Sequence, residues 1–587
     1  MRTHTSLYAS FMLLALLASA CGSKAPTPTP QPSPVPTAHP AADLVVTNGT
    51  LYTVDAGRSV AQAMAVKDGV IVYVGDGAGA QAWIGSGTRV LDLKGRLVLP
   101  GLVDSHAHAP DAVSAIYEVS LYGMGTVDEI KQAIADFLVA DPNLTALRGA
   151  GWINAVFGPR GPTRDILDAI APDIPVVLSS EDYHSVWVNS KVLDMAGITA
   201  ATADPAGGII ERAADGSPSG TLRESAAELV AGVIPDYTVE QYVEGLRSLQ
   251  QMAHSYGITT VYVPSSDETT RQALHTLEAS GEMSVRFPTA IVVDPEGDLS
   301  VVDRLGQIRD QEKGGNYWIA GAKIFMDGVL EGGTAYLEEP YLYKPGDRGE
   351  LLWDPQKYNQ MCAALDKAGF AIHVHSIGDA ATRLTLDGFA YARQQNGERD
   401  ARPAVTHLQL VNPADIARFA ALKVVAVPQP YWFVVDAYYT QAVEYVGQER
   451  ADRQYPMKTF FDQGVVVASA SDYPVTVPPD PMLAIELGVT RTVPQGSEIY
   501  ADPNFAQALV PSEDVTVKQM IDSFTISGAY AAFLESMLGS LEVGKRADFI
   551  VLDQDILHIA PTDIHKTTVL LTFFEGREVY RSQVYSD

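Results

Sequence analysis

The sequence predicts an α/β fold, with eight βα units closed into a parallel barrel and a small β-sandwich assembled from both chain ends. Three observations lead there. Short apolar runs of β type alternate with helical stretches through the middle of the chain. Several of those runs end in a side chain able to bind a metal, which suggests the C-terminal mouth of a (β/α)8 TIM barrel, where barrel enzymes carry their chemistry. The two ends of the chain both read as strands and tight turns.

The first forty residues stand apart. Leu7 to Ala18 is apolar but too short to span a bilayer, and the small residues Ala18-Ser19-Ala20 precede Cys21. Residues 1–20 are therefore expected to be a signal peptide. The pattern resembles a bacterial lipoprotein signal, which makes Cys21 the lipidated residue; an ordinary cleaved signal with an incidental cysteine is the alternative. Prolines at 26, 28, 30, 32, 34, 36 and 40 make residues 21–42 an extended linker. At about 3.1 Å per residue its proline-rich stretch, Ala25 to Pro40, could hold a domain roughly 50 Å off a membrane. The expected location is the cell envelope, on its periplasmic or extracellular face, with membrane contact through the lipid alone. Cys362 is the one other cysteine, so no disulfide is expected once Cys21 carries lipid. The formal net charge of −30 argues against nucleic acid as a partner and against an electrostatic grip on anionic lipid.

From residue 43 to 100 the turns Asn48-Gly49 and Asp68-Gly69 sit between apolar runs, a hairpin signal. Residues 538–587 repeat the style, with Phe549-Ile550-Val551-Leu552, Val569 to Phe574, and a turn at Glu575-Gly576-Arg577. Small strand sets have open edges, so the two ends are expected to pair into one composite sandwich. Between them, residues 101–537 carry the barrel. Its strand candidates are Leu97–Asp104, Thr259–Pro264, Arg286–Val293, Trp318–Phe325, Ala371–His375, Ala404–His407, Val424–Gln429 and Val465–Ser471, with helices such as Gln356–Ala368 and Pro413–Leu422 between them. The first gap is too long for one helix, so residues of about 111–245 form an inserted subdomain with a strand at Val176-Val177-Leu178, a natural lid or substrate wall.

The candidate site consists of His106, His108, Lys323, His375, His407 and Asp472, each closing an apolar run. Residues i and i+2 of a strand share a face, so His106 and His108 can reach one ion. The spacing alone is weak evidence, and His373 and His375 form a second such pair; His373 is expected to face away from the metal or to support its ligands. Four imidazoles and a carboxylate together make a transition-metal hydrolase centre. Alternatives attach to single residues. Lys323 could pair with Asp327 or bind substrate, which would leave one metal, and Asp472 could be a helix cap.

The run Leu99-Pro100-Gly101-Leu102-Val103-Asp104-Ser105-His106-Ala107-His108 resembles the first-strand signature of the amidohydrolase superfamily. Lys323 to Gly328, His375-Ser376-Ile377-Gly378-Asp379, Val427-Pro428-Gln429-Pro430, Ser471 to Val475 and Gly539 to Asp548 narrow the likeness to the branch of N-substituted formamide deformylases. The resemblance implies that His106 and His108 bind the more buried metal, that Lys323 is carboxylated and bridges two metals, and that His375 and His407 bind the second. It makes Asp472 both a ligand of the first metal and the general base. One or two divalent ions, zinc foremost, are expected per chain. His184, Tyr183 and Gln429 are the candidate substrate contacts, with Tyr183 standing where the branch more often has glycine. Trp152, Phe157, Tyr336, Tyr431 and Trp432 either line an apolar pocket or pack the structure.

The expected activity is hydrolysis of a non-peptide C–N bond in a small molecule, such as an N-substituted formamide or an N-acyl compound. Ester or lactone hydrolysis on the same site is the first alternative. Deamination is disfavoured because no glutamate follows His375. A non-catalytic solute-binding lipoprotein is the alternative from another class, and a homodimer stays open.

Overall fold

The computed structural model describes residues 40–158, 160–181, 185–205, 208–476, 478–496 and 506–585. The signal and linker expected before residue 40, with Cys21, lie outside the described residues, as do Tyr183 and His184.

The two chain ends share a sheet. Arg577–Arg581, Val569–Phe574 and Phe549–Leu552 continue into Leu97–Pro100, Thr50–Tyr52 and Val60–Ala61, in that order. The junction is antiparallel, with Ile550 opposite Leu99 and Val551 opposite Val98. A four-stranded sheet of Val70–Gly75, Ala63–Lys67, Leu44–Thr47 and Arg89–Asp92 packs on it. Alternation explains the unbroken apolar runs at this junction. Val98, Phe549 and Val551 point into the core between the two sheets, whereas Leu97, Leu99, Ile550 and Leu552 point into the main core. A strand buried on both faces needs no polar residue.

The run Leu97 to Asp104, expected as one barrel strand, is two. Leu97–Pro100 belongs to the end sheet and Leu102–Asp104 to the centre. The break is at Gly101, where a Cβ would lie 2.5 Å from Thr259 Oγ1 and 3.1 Å from Asp548 Cβ. Only glycine lets the chain pass from one sheet to the other through that gap.

At the centre, Leu102–Asp104 pairs in parallel with Ile258–Val261. A five-stranded parallel sheet follows in chain order: Phe287–Val292, Tyr317–Phe325, Ala371–Ser376, Ala404–His407 and Val425–Val427. Parallel bridges at Thr260–Arg286 and Val263–Thr289 link the two sheets. The eighth expected strand, Val465–Ser471, is not a strand; it makes one parallel bridge, Ala426 to Val467. No closed barrel sheet forms among the described residues, and the reason lies at the seam. Val103 N–H donates to Phe524 O and Ser469 N–H to Ser523 O, so the chain after the helix Val517–Ser523 takes the donors a closing ladder would use. The two segments meet directly through Ser105 N–H to Ser469 O at 3.2 Å.

Helices cover the sheets. Pro355–Lys367 and Pro413–Leu422 begin at Asp354 and Asn412, whose side chains accept first-turn N–H groups, with proline at the first helical position. The insertion holds a six-stranded sheet, of which the expected strand, Val176–Ser180, is one member. Its strand Leu147–Trp152 carries Gly149 and Gly151, which dilute the β pattern in the sequence. Trp152, Trp187 and Phe157 pack together in the insertion's own core, so the first and last of these are packing residues there.

Candidate metal centre

Strand ends deliver the donor groups to one place. Asp104, His106 and His108 follow one strand, and a paired crossing holds them against the eighth segment: Asp472 N–H donates to His106 O at 2.8 Å and His108 N–H to Tyr473 O at 2.7 Å. Asp104, buried, accepts from the N–H groups of His106 and Ser471 and from the Ser471 hydroxyl. Burial raises its carboxyl to about 6. Asp104 was not among the site residues expected from sequence, although its i, i+2, i+4 relation to His106 and His108 marked the shared face.

One donor atom from each of His106, His108 and Asp472 lies within 4.8 Å of the others. Asp472 Oδ1 is 3.2 Å from His106 Nε2 and 3.4 Å from His108 Nε2. His407 joins them, its ring 5.2 Å from that of His106 and 4.5 Å from that of His375. Strand register places Lys323 beside His373 and Phe325 beside His375, so residues 323, 325, 373 and 375 share the inner face. Thr406 pairs with His375, and alternation would send His407 to the other side. The backbone at His407 is left-handed, with φ of +75°, and at Asp472 φ is +60°. Non-glycine residues adopt that region at a cost of order 1–3 kcal/mol, and here it turns both side chains into the site.

Ring orientation is held from behind. His375 Nε2 lies 3.0 Å from Gly328 O, a pure acceptor, so Nε2 carries the proton and Nδ1 the lone pair. His407 Nδ1 meets Gln429 Oε1 at 3.2 Å, while Gln429 Nε2 donates to Thr406 Oγ1 at 3.1 Å. Gln429, expected to touch substrate, is wholly buried with its amide engaged at both ends, between His407 and Thr406. Ser265 Oγ is 3.1 Å from His108 Nδ1. Trp432 stacks on His407, and Tyr336 donates its N–H to Asp327.

The expected alternative pairing of Lys323 with Asp327 does not occur. Asp327 accepts N–H groups from Tyr336, Ile377 and Gly378 and ties the loop after Lys323 to the loop after His375. Lys323 Nζ is fully buried without a hydrogen-bond partner, over the face of Phe325. His106 Nε2 and Asp472 Oδ1 are likewise buried without hydrogen-bond partners. Burial lowers the Lys323 amine to about 7. Burial, then the Lys323 charge, takes His375 to about 4, and burial holds His106 and His407 well below the usual imidazole range. For Asp472 burial acts upward, but the adjoining His108 imidazole and the charges of His407 and Lys323 outweigh it and leave the carboxyl low. Neutral imidazoles, an ionised carboxylate and orphaned buried atoms are the donor set a divalent cation needs.

Comparisons with known proteins agree with this chemistry. The sequence profile of the amidohydrolase family matches residues 89–580. The chain is 32% identical over 558 residues to the protein LONG AFTER FAR-RED 3 of Arabidopsis thaliana, covering 92% of each chain. It is 28% identical over 556 residues to the N-substituted formamide deformylase of Arthrobacter pascens, covering 91% of this chain and 97% of that one. Among solved structures, an uncharacterized metal-dependent hydrolase from Pyrococcus horikoshii OT3 superposes with a TM-score of 0.73 at 27% identity, over 88% of this chain and 99% of that one. With a donor set built for a cation and a family profile spanning most of its length, this chain belongs to the amidohydrolase family of hydrolases.

Proposed function

We propose that the protein is a metal-dependent amidohydrolase that cleaves a non-peptide C–N bond in a small amide, such as an N-substituted formamide or an N-acyl compound. The observation that carries this reading is the convergence of buried donor atoms, orphaned at His106 Nε2, Asp472 Oδ1 and Lys323 Nζ, at the ends of parallel strands. The relative that acts on N-substituted formamides supports the substrate class. We read the linked parallel strands as a (β/α)8 barrel whose last strand is irregular. The end sheets between residues 43–100 and 538–587 form its composite sandwich.

His106, His108 and Asp472 would hold one divalent ion, zinc in this reading, and His375 and His407 a second bridged by Lys323. Such ions supply Lewis acidity, which lowers the pKa of water and polarises a carbonyl. The rest falls to the chain. A lysine amine at about 7 is largely neutral just above that pH, so its nitrogen can attack the carbon of CO2, form an N–C bond and release a proton, becoming a carboxylate ligand. Asp472, held ionised, accepts a proton from the attacking water at Oδ1 and returns it to the leaving nitrogen. Asp104 and Ser471 fix the loop from which it acts.

Turnover of matched amides and esters by protein purified without chelator, with elemental analysis, tests the reading. Amide hydrolysis that falls at least about 10²-fold in Asp472→Asn with metal retained supports it; full activity of that variant overturns the mechanism. Turnover of esters alone moves the assignment to the ester or lactone class. Residues 1–42 we read as a signal peptide, a lipidated Cys21 and a tether at the cell envelope. Metabolic labelling with a fatty acid, lost in Cys21→Ser, tests that.

A further inference from the structure

We propose that His373 makes His106 a metal ligand, by accepting the proton of its Nδ1 and so directing the Nε2 lone pair into the site. The inference rests on the metal-centre reading above. The two nitrogens of His106 face opposite ways. Nε2 faces Asp472 Oδ1 at 3.2 Å and has no hydrogen-bond partner; Nδ1 faces His373 Nε2 at 2.8 Å. Behind the other imidazoles stand oxygens: the Gly328 carbonyl for His375, the Gln429 amide for His407 and the Ser265 hydroxyl for His108. A carbonyl can only accept, which settles the tautomer outright. An imidazole nitrogen can accept or donate, so the His106–His373 pair has two arrangements.

In one, His106 Nδ1–H donates to His373 Nε2, the proton of His373 sits on its own Nδ1, and His106 Nε2 offers a lone pair to a cation. In the other, His373 Nε2–H donates to His106 Nδ1, the proton of His106 sits on Nε2 facing Asp472, and the ligand is blocked. A cation at the site selects the first. His373 is built to serve it. It lies two residues before His375 on the same strand, hence on the same inner face, and beside Lys323 by register. Tyr262 stacks on its ring with centroids 5.2 Å apart and planes 18° from parallel, which fixes the plane in which Nε2 meets His106 Nδ1. One strand thus supplies a ligand at residue 375 and the support for a different ligand at residue 373.

The test is zinc affinity by competition with a chromogenic chelator, on full-length apo protein. His373→Phe keeps a ring for Tyr262 to stack on and removes the acceptor. His373→Gln keeps an acceptor at the position of Nε2. A tenfold to hundredfold weaker zinc affinity is expected for His373→Phe, about the size of other losses of support behind a ligand, and recovery to within a few-fold of wild type for His373→Gln. The visible spectrum of cobalt(II)-loaded protein shifts in the phenylalanine variant and returns in the glutamine one. Unchanged affinity in His373→Phe overturns the inference, as does equal loss in both variants, which would mark a packing role. Wild-type protein that takes up no zinc overturns the metal centre, and the inference with it. If the phenylalanine variant does not fold, His373→Leu is measured in its place against the same glutamine variant.

Discussion

The two ends of the central strands bury positive charge in opposite ways. Arg286, just before the strand Phe287–Val292, is 1% exposed and paired with Asp548 and Glu575, with the Phe574 ring against its guanidinium. Arg402, before the strand Ala404–His407, bonds Asp400, Glu535 and the Tyr530 carbonyl between two aromatic rings. Lys323, near the far end of Tyr317–Phe325, is just as buried and has no hydrogen-bond partner. Burial pulls all three down, but the carboxylates more than reverse it for both arginines, whereas Lys323 falls to about 7. One end of the strands is satisfied and stabilises the fold; the other is left unsatisfied and serves chemistry.

Breaking the satisfied end gives the largest expected effect on stability. Arg286→Met leaves Asp548 and part of Glu575 without their cation, and loss of about 3–5 kcal/mol is expected in denaturant unfolding. Protein that remains folded keeps its metal content. A smaller loss than in Lys323→Met would break the comparison.

The unsatisfied end is expected to behave in the reverse sense. In the metal-free protein the folded-state Lys323 amine lies at about 7, below an unfolded value of about 10.4. The unfolded chain therefore binds the extra proton between those values, and stability rises with pH across that window. Below about pH 7 the cost is fully present. Lys323→Met removes it, so apo protein gains about 2–4 kcal/mol near pH 7 and loses the pH slope above it. Urea midpoints at pH 7 and pH 10 check both statements. The same variant gives up metal.

Gln429→Leu sharpens the picture at the smallest scale. It removes the amide that orients His407 without touching Asp472 or His106. About tenfold weaker metal affinity is expected, with Asp472 chemistry retained on loaded protein. An unchanged affinity but a raised KM would return Gln429 to the substrate side.

Much of this was legible from single stretches of chain. His106 and His108 stand two apart after an apolar run, and their donor atoms do meet with that of Asp472. The helices Pro355–Lys367 and Pro413–Leu422 announced themselves through Asp-Pro and Asn-Pro starts. The surroundings of Gln429 were not legible, because its motif marks a neighbourhood and not a direction; its neighbours Thr406 and His407 come from another strand.

By itself the sequence determined the α/β alternation, the apolar runs of the central strands and the residue types gathered at their ends. These are local properties, written in period, turn residues and spacing. The tertiary structure decided the rest. It split Leu97–Asp104 between two sheets at Gly101, wedged the seam beside Val103 with Phe524, turned His407 inward through a left-handed backbone and set His373 behind His106. Each depends on which distant strand lies alongside and in what register. That is a property of non-local contacts, which no window of sequence contains.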